Sequence, residues 1–468
     1  MALIKEKKHS LRNRGRIARL RKRLLVLAVV VVGLSLFIGC FADMTQRSVA
    51  PPRDIPPTPV LESVLREEKA LAVEAEPPLE NLGDEMKLKQ LEETTPFEGD
   101  GTPALSDLEP QLFQVRQGEI YVDGAGGDKV FLTLEPTLQQ QAEEILSRYK
   151  VPWGALVAID PATGKVLTLA SYSTSKDNQS RNLSLQATFP AASLFKVVTA
   201  AAAIEYAGLT ADDQIHYRGG DYTLTPRNYL PDERHDKRRM TVRDALARSC
   251  NPAFARIALL NLTPSVLHNY ASSFGFNMNL PFELEVEQSS FTLPMDDFAI
   301  ARTAAGFGDV TISPLHAAMI SGALANQGKL MRPYIVDRVV DPTGYQKYFG
   351  RPLILRQAIL DSTATALAEM LVATVTNGTA RKHFTRSRQK ALRNISVSAK
   401  TGTLRGDNPP GVYHWFIASA PLESPEVAIA ALVIDPGSAR VSASGIGRMF
   451  LEHFFSHRPQ GSDQKVGL

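Results

Sequence analysis

Cysteine is nearly absent: the 468 residues contain two, Cys40 and Cys250. Cys40 falls within an apolar run, so an internal disulfide between them is not expected. With no CxxC pair and no Cys/His cluster, zinc sites and redox motifs are excluded. HExxH is also missing, so neither a metal nor a cofactor is expected. Gly306-Phe307-Gly308 lacks the third glycine and the preceding strand of a nucleotide loop. A large excess of one charge is missing too. The net charge of +3 says nothing by itself about partners, and no nucleic-acid partner is expected. No internal repeat is found.

What is present is strongly partitioned. The hydrophobic fraction of 44% allows a sizeable core, in one large or two smaller domains. Residues 1–23 carry ten Lys or Arg, which suits a basic cytoplasmic tail. Residues 24–42 then run without a charge, close to the roughly 20 residues a membrane-spanning helix needs. The basic flank predicts a single-pass anchor in the cytoplasmic (inner) membrane, N-terminus inside and the remainder extracytoplasmic. A cleaved signal peptide is the alternative, although its apolar core is normally only about 7–15 residues. Phe37-Ile38-Gly39-Cys40 fits a lipidation box poorly, and a cysteine buried in a membrane helix is the plainer reading.

Residues 43–110 are rich in proline, and acids outnumber bases by ten. Such a stretch cannot bury enough apolar surface to offset its ordering entropy, so it reads as a flexible spacer. A short helix around Leu61 to Val73 is the one element it suggests. Residues 111–456 have a globular pattern and 457–468 form a tail. Val130 to Leu134 reads as a strand and Thr137 to Tyr149 as an amphipathic helix. Gly154 to Ile159 and Val166 to Ser171 read as a hairpin. Ala191 to Tyr206, Val242 to Leu259 and Pro314 to Asn326 read as helices. Trp415 to Ala420 and Val427 to Ile434 read as strands, before a closing helix near Gly445 to Phe455. Hairpins at both ends with helices between them predict an α+β fold.

Ser193-Leu194-Phe195-Lys196 opens an apolar helix, and a spacing of three puts both side chains on one face. A serine hydroxyl needs an adjacent base to act as a nucleophile. A lysine serves only where burial or a nearby cation lowers its pKa. Ser147/Lys150, Ser173/Lys176, Ser387/Lys390 and Ser462/Lys465 share that spacing but fall at a helix end, in polar loops or in the tail. Two further motifs follow in order: Ser249-Cys250-Asn251, before Pro252, and Lys400-Thr401-Gly402-Thr403, after the alternating Ile395 to Ala399.

S-x-x-K, S-x-N and K-T-G in this order resemble the set of penicillin-binding proteins and serine β-lactamases. The resemblance to a transpeptidase domain covers roughly residues 129–456. It extends to Gly154–Gly164, Gly306-Phe307-Gly308 with Ile312–His316, Ala323–Lys329 and Asn377–Ala380. It implies an antiparallel sheet flanked by helices, plus an all-α region.

It also implies roles. Ser193 attacks the carbonyl of a terminal D-Ala-D-Ala bond, Lys196 takes its proton, and Ser249 relays a proton to the departing amine. Asn251 holds the substrate amide. Lys400, Thr401 and Thr403 receive the substrate carboxylate beside Gly402, and the N–H groups of Ser193 and Thr403 form the oxyanion hole. The implied partners are peptidoglycan stem peptides, β-lactams as covalent inhibitors, and a division or elongation complex. Carboxypeptidase, β-lactamase and non-catalytic sensor or scaffold remain alternatives. No Glu-x-x-x-Asn lies between Ser249 and Lys400, which argues against one major β-lactamase class. Two departures stand out: Ala191-Ala192 replaces a glycine-containing approach to the nucleophile, and the pedestal before the domain is reduced to a few strands around 111–134.

His414-Trp415 reads as strand packing, Asp435-Pro436-Gly437 as a turn, and Arg405 to Pro410 as a loop near the site.

Overall fold

A computed structural model describes residues 103, 105, 113–174, 182–292, 294–385, 390–437 and 439–457. All of these lie in one compact unit, Glu85–Leu468. The basic tail, the apolar run 24–42, the Leu61 to Val73 helix and nearly all of the spacer lie outside the described residues. So does the C-terminal tail from 458. Among the described residues, no helix is long and apolar enough to cross a membrane.

The central sheet is antiparallel, with strand order β12-β13-β14-β4-β5. Its strands are β4 (Trp153–Ile159), β5 (Val166–Ser173), β12 (Ser398–Asp407), β13 (Pro410–Ala420) and β14 (Val427–Asp435). β4 and β14 are continuous apolar runs because both faces of the sheet are covered, and alternate side chains enter different cores. Ala155, Val157, Ile159, Ala430, Leu432, Trp415 and Ile417 face one cluster. Leu156, Ala158, Ala431, Val433, Phe416 and Ala418 face the other.

Helix α1 (Pro136–Arg148) lies on the second face and buries Leu138, Ala142, Ile145 and Leu146. The C-terminal helix, Ala443–Ser456, joins it there with Ile446, Phe450 and Leu451. The first face is covered by the helix Pro314–Ala325, which is apolar nearly all round because it is nearly all buried.

Between the two parts of the sheet the chain builds the helical region: α2 (Lys196–Glu205), α3 (Val242–Ala247), α4 (Asn251–Asn261), α5 (Pro264–Ser273) and α6 (Asp297–Ala304). The buried helix Pro314–Ala325 is α7, followed by α8 (Asp361–Thr376), α9 (Arg381–Phe384) and the C-terminal α10. The α+β architecture expected from the sequence is therefore present.

Three expectations are corrected. The helix expected over Val242 to Leu259 is broken at Ser249, where φ is 58. There the Asn251 N–H leaves the helical pattern to donate to Asp221 O at 2.7 Å, and Pro252 enters the first turn of α4, where its missing N–H costs nothing. The helix expected from Ala191 starts as a tight turn over Ala192–Leu194, and α2 proper begins at Lys196. Arg405 to Pro410 is not an open loop but a tight hairpin: β12 and β13 stay paired through Asp407↔Pro410, and only Asn408 and Pro409 form the turn.

The small second sheet has strand order β1-β2-β3-β9-β10. The strands β1 (Gln114–Arg116), β2 (Glu119–Asp123) and β3 (Lys129–Leu132) were expected as a reduced pedestal. They are completed by β9 (Val336–Val340) and β10 (Gln346–Phe349), which sequence reading did not separate out.

Candidate active site

β12 is the edge strand of the central sheet and faces the turn that enters α2. That turn is pinned before it reaches Ser193. Buried Trp415 donates its Nε1–H to Pro190 O at 2.9 Å, and Ala191 N–H donates to Val310 O at 2.9 Å. Ala192 then adopts φ 50, a left-handed conformation that costs a non-glycine residue about 1–2 kcal/mol. This is where the expected glycine is missing, and the surroundings hold the strained backbone in place. Gly306, itself at φ +88, lies so close that a Cβ there would come within 2.3 Å of Ala192 O and 2.9 Å of Ser193 N. On the opposite side a Cβ at Gly402 would be 3.3 Å from that of Ala192. Gly306 is required for this close backbone approach, whereas a side chain at Gly402 would be tight and would need its neighbours to give slightly.

The residues of all three motifs converge here. Ser193 is half-buried, and Lys196 is wholly buried one turn later. Lys196 Nζ lies 2.9 Å from Ser193 Oγ, 2.8 Å from Asn251 Oδ1 and 2.5 Å from Ala305 O. A neutral amine has two N–H donors and one lone pair. Asn251 Oδ1 and Ala305 O, which only accept, take the two donors, and the lone pair is left facing the Ser193 hydroxyl. Burial, followed by the charge of Lys400, holds the Lys196 pKa well below its ordinary value, so the neutral form is accessible.

The break at Ser249 places the S-x-N residues. Asn251 Nδ2 donates to Tyr222 O at 2.8 Å, which fixes the orientation of its amide toward Lys196. Lys400 is also wholly buried, its pKa pushed down to about 7 by burial. Its Nζ donates to Ser249 Oγ at 3.0 Å and Thr401 O at 2.7 Å. Thr401 Oγ1 lies 2.5 Å from Thr379 Oγ1. Burial raises the Cys250 thiol to about 11, so it stays protonated and inert beside the site. Among the described residues no group of His, Cys, Asp or Glu is placed to hold a metal ion.

Several contributors had no clear signal in the sequence. The carbonyls of Ala305 and Tyr222 act through the backbone and have no residue signature. Thr379 belongs to the Asn377–Ala380 stretch that was noted without a role. It spans from Thr401 to the end of α3, where its N–H donates to Ala247 O at 3.2 Å. Asp221 anchors the loop beneath Asn251: its carboxylate meets Tyr217 Oη at 2.9 Å, Arg248 at 2.9 Å and Arg238 at 2.7 Å.

A helix-flanked antiparallel sheet with a Ser–Lys pair beside its edge strand is the arrangement of penicillin-recognising domains. Comparison with known proteins agrees. Residues 154–450 match the penicillin binding protein transpeptidase domain family. The peptidoglycan D,D-transpeptidase PbpA of Mycobacterium tuberculosis is 30% identical over 416 residues, covering 78% of this chain and 80% of that one. Among solved structures, the penicillin G acyl-enzyme complex of penicillin-binding protein A from M. tuberculosis has a TM-score of 0.57 at 27% identity. That match covers 69% of this chain and 80% of that one. The D,D-transpeptidase domain of a peptidoglycan glycosyltransferase from Eggerthella lenta has a TM-score of 0.60 at 26% identity, covering 72% and 84%. The chain belongs to the penicillin-binding protein transpeptidase family.

Proposed function

We propose that this protein is a serine-type peptidoglycan D,D-transpeptidase that binds penicillin covalently. The observation that carries this reading is the Ser193–Lys196 contact of 2.9 Å, made by a buried lysine whose other hydrogen-bond partners are both acceptors. Neutral Lys196 takes the hydroxyl proton as Ser193 Oγ attacks the carbonyl of the penultimate D-Ala. The N–H groups of Ser193, in the turn, and of Thr403, in β12, are assigned to the oxyanion. Donors of that kind lower a barrier by about 3–4 kcal/mol. Ser249, hydrogen-bonded to Lys400, passes a proton to the departing amine as the C–N bond breaks. Lys400, Thr401 and Thr403 hold the terminal carboxylate, and Asn251 the peptide amide.

Incubating the protein with a stem peptide ending in D-Ala-D-Ala and an amine acceptor should release D-Ala and give a cross-linked product. Release of D-Ala without that product would favour the carboxypeptidase reading.

We also propose that residues 24–42 anchor the chain in the inner membrane, with the catalytic domain outside. The charge-free run after ten basic residues supports this. External protease on spheroplasts should digest the domain, and its protection would contradict this topology.

A further inference from the structure

We propose that a basic cleft on the far face of the central sheet, lined by Lys382, His383, His414, Arg440 and Arg448, receives a carboxylate of the amine acceptor. This rests on the reading of Ser193 as the acylated nucleophile. The cleft holds about 430 Å³ and is walled by α9, the first turns of α10 and the end of β14. Asp435 is its one acidic lining residue, and Asp435 Oδ1 accepts the N–H groups of Gly437 and Ala439 at 2.7 and 2.8 Å. Arg448 pairs with Glu452 at 2.5 Å, and His383 Nε2 lies 3.0 Å from Ser442 Oγ, the N-cap of α10. Lys382 and Arg440 are exposed and have no ion-pair partner among the described residues. The cleft therefore offers two unpaired cations, Lys382 and Arg440, against the single carboxylate of Asp435.

Its position relates it to the reaction. His414 stands directly opposite Thr403 in the β12–β13 ladder, and Phe416 opposite Thr401. Opposed residues of an antiparallel pair project to the same face. Thr401, Thr403 and His414 thus share the face on which the cleft lies. α9 is tied to both strands, because it follows Thr379, which contacts Thr401 of β12, and because Phe384 packs on Phe416 of β13 with ring centroids 5.7 Å apart.

In acyl transfer the incoming amine reaches the ester carbonyl from the side the leaving amine has vacated. The leaving D-Ala carries the carboxylate assigned to Thr401 and Thr403, so the acceptor enters along β12. Its nitrogen forms the new C–N bond as the C–O bond to Ser193 breaks, and the amine proton returns through Lys196 to Ser193 Oγ. The rest of the acceptor then extends past Thr403 and His414 to Lys382 and Arg440. An acceptor with a carboxylate there gains charge-assisted contacts that its amide lacks.

The test uses the full chain with a D-alanyl thioester donor and two acceptors: a short lysine-containing peptide with a free C-terminal carboxylate, and the same peptide as its carboxamide. The readout is the ratio of aminolysis to hydrolysis product. Lys382→Ala/Arg440→Ala should lower that ratio about tenfold for the carboxylate acceptor and leave it unchanged for the carboxamide. Wild-type preference for the carboxylate should also weaken as salt rises. Penicillin acylation of Ser193 should be unaffected by the double substitution. An unchanged ratio, an equal fall for both acceptors, or no transfer to either by the wild type would overturn the proposal while acylation persists. Loss of acylation in the wild type would instead remove the functional reading beneath it.

Discussion

The proposed mechanism requires Lys400 and Lys196 to be in opposite protonation states, and this makes the pH dependence of acylation the most informative perturbation. Lys196 has to lose its proton to accept that of Ser193, so the rate rises as pH passes upward through its lowered pKa. Lys400 has to keep its proton to hold a carboxylate, so the rate falls as pH passes upward through about 7. The second-order acylation constant reports ionisations of the free enzyme. Its descending limb should therefore approach a tenfold drop per pH unit above the pKa, about fiftyfold in all between about pH 7 and about pH 9. Lys400→Arg replaces a titrating group with one that stays protonated throughout this range. The variant should be weaker than wild type near pH 7, because the guanidinium does not reproduce the ammonium's contacts with Ser249 and Thr401. It should, however, lose the descending limb, so that its rate at about pH 9 is close to its rate at about pH 7. Lys400→Ala, with no charge, should be the slowest of the three. Labelling with a reporter penicillin across this range at constant ionic strength measures all of this. An unaltered descending limb in Lys400→Arg, or equal losses in both variants at every pH, would refute the assignment of charge as the role of Lys400.

Asp221→Asn removes the shared partner of Arg238, Arg248 and Tyr217, and should cost about 2 kcal/mol of stability. It should also slow acylation at temperatures where the protein is folded, because the loop carrying the Tyr222 carbonyl loosens; wild-type acylation by a folded variant would contradict that role. Gly306→Ala should nearly abolish acylation, since its Cβ would meet Ala192 O at 2.3 Å. Gly344→Ala is the control: φ is +92 but nothing lies within 4 Å, so it should lower Tm and leave acylation intact.

Much of the site was legible because its side chains sit in three short contiguous motifs, and local context separated the Ser193 motif from four other Ser/Lys pairs. β4 and β14 were legible because strands covered on both faces are unbroken apolar runs, and shorter apolar stretches marked β5 and the second half of β13. What escaped depends on pairing across distance. β9 and β10 are recognisable only beside β3, some 200 residues earlier in the chain. The Arg405 to Pro410 stretch has the composition of a loop but stays in register with its neighbour. The break at Ser249 had Pro252 as its local cue, but the decisive bond, Asn251 N–H to Asp221 O, comes from another segment. The Ala305 and Tyr222 carbonyls orient the Lys196 amine and the Asn251 amide without any side chain to announce them.

The central claim, that Ser193 is the nucleophile and its ester is slow to hydrolyse, is tested most directly by intact mass spectrometry after brief exposure to penicillin. The proposed site has a complete acylating set, and a β-lactam's leaving group stays tethered beside the ester, where it can obstruct the approach of water. One penicillin adduct should form, map to Ser193, persist for many minutes and be absent in Ser193→Ala. Rapid turnover of penicillin with no lasting adduct, or an adduct retained by a folded Ser193→Ala variant, would contradict it.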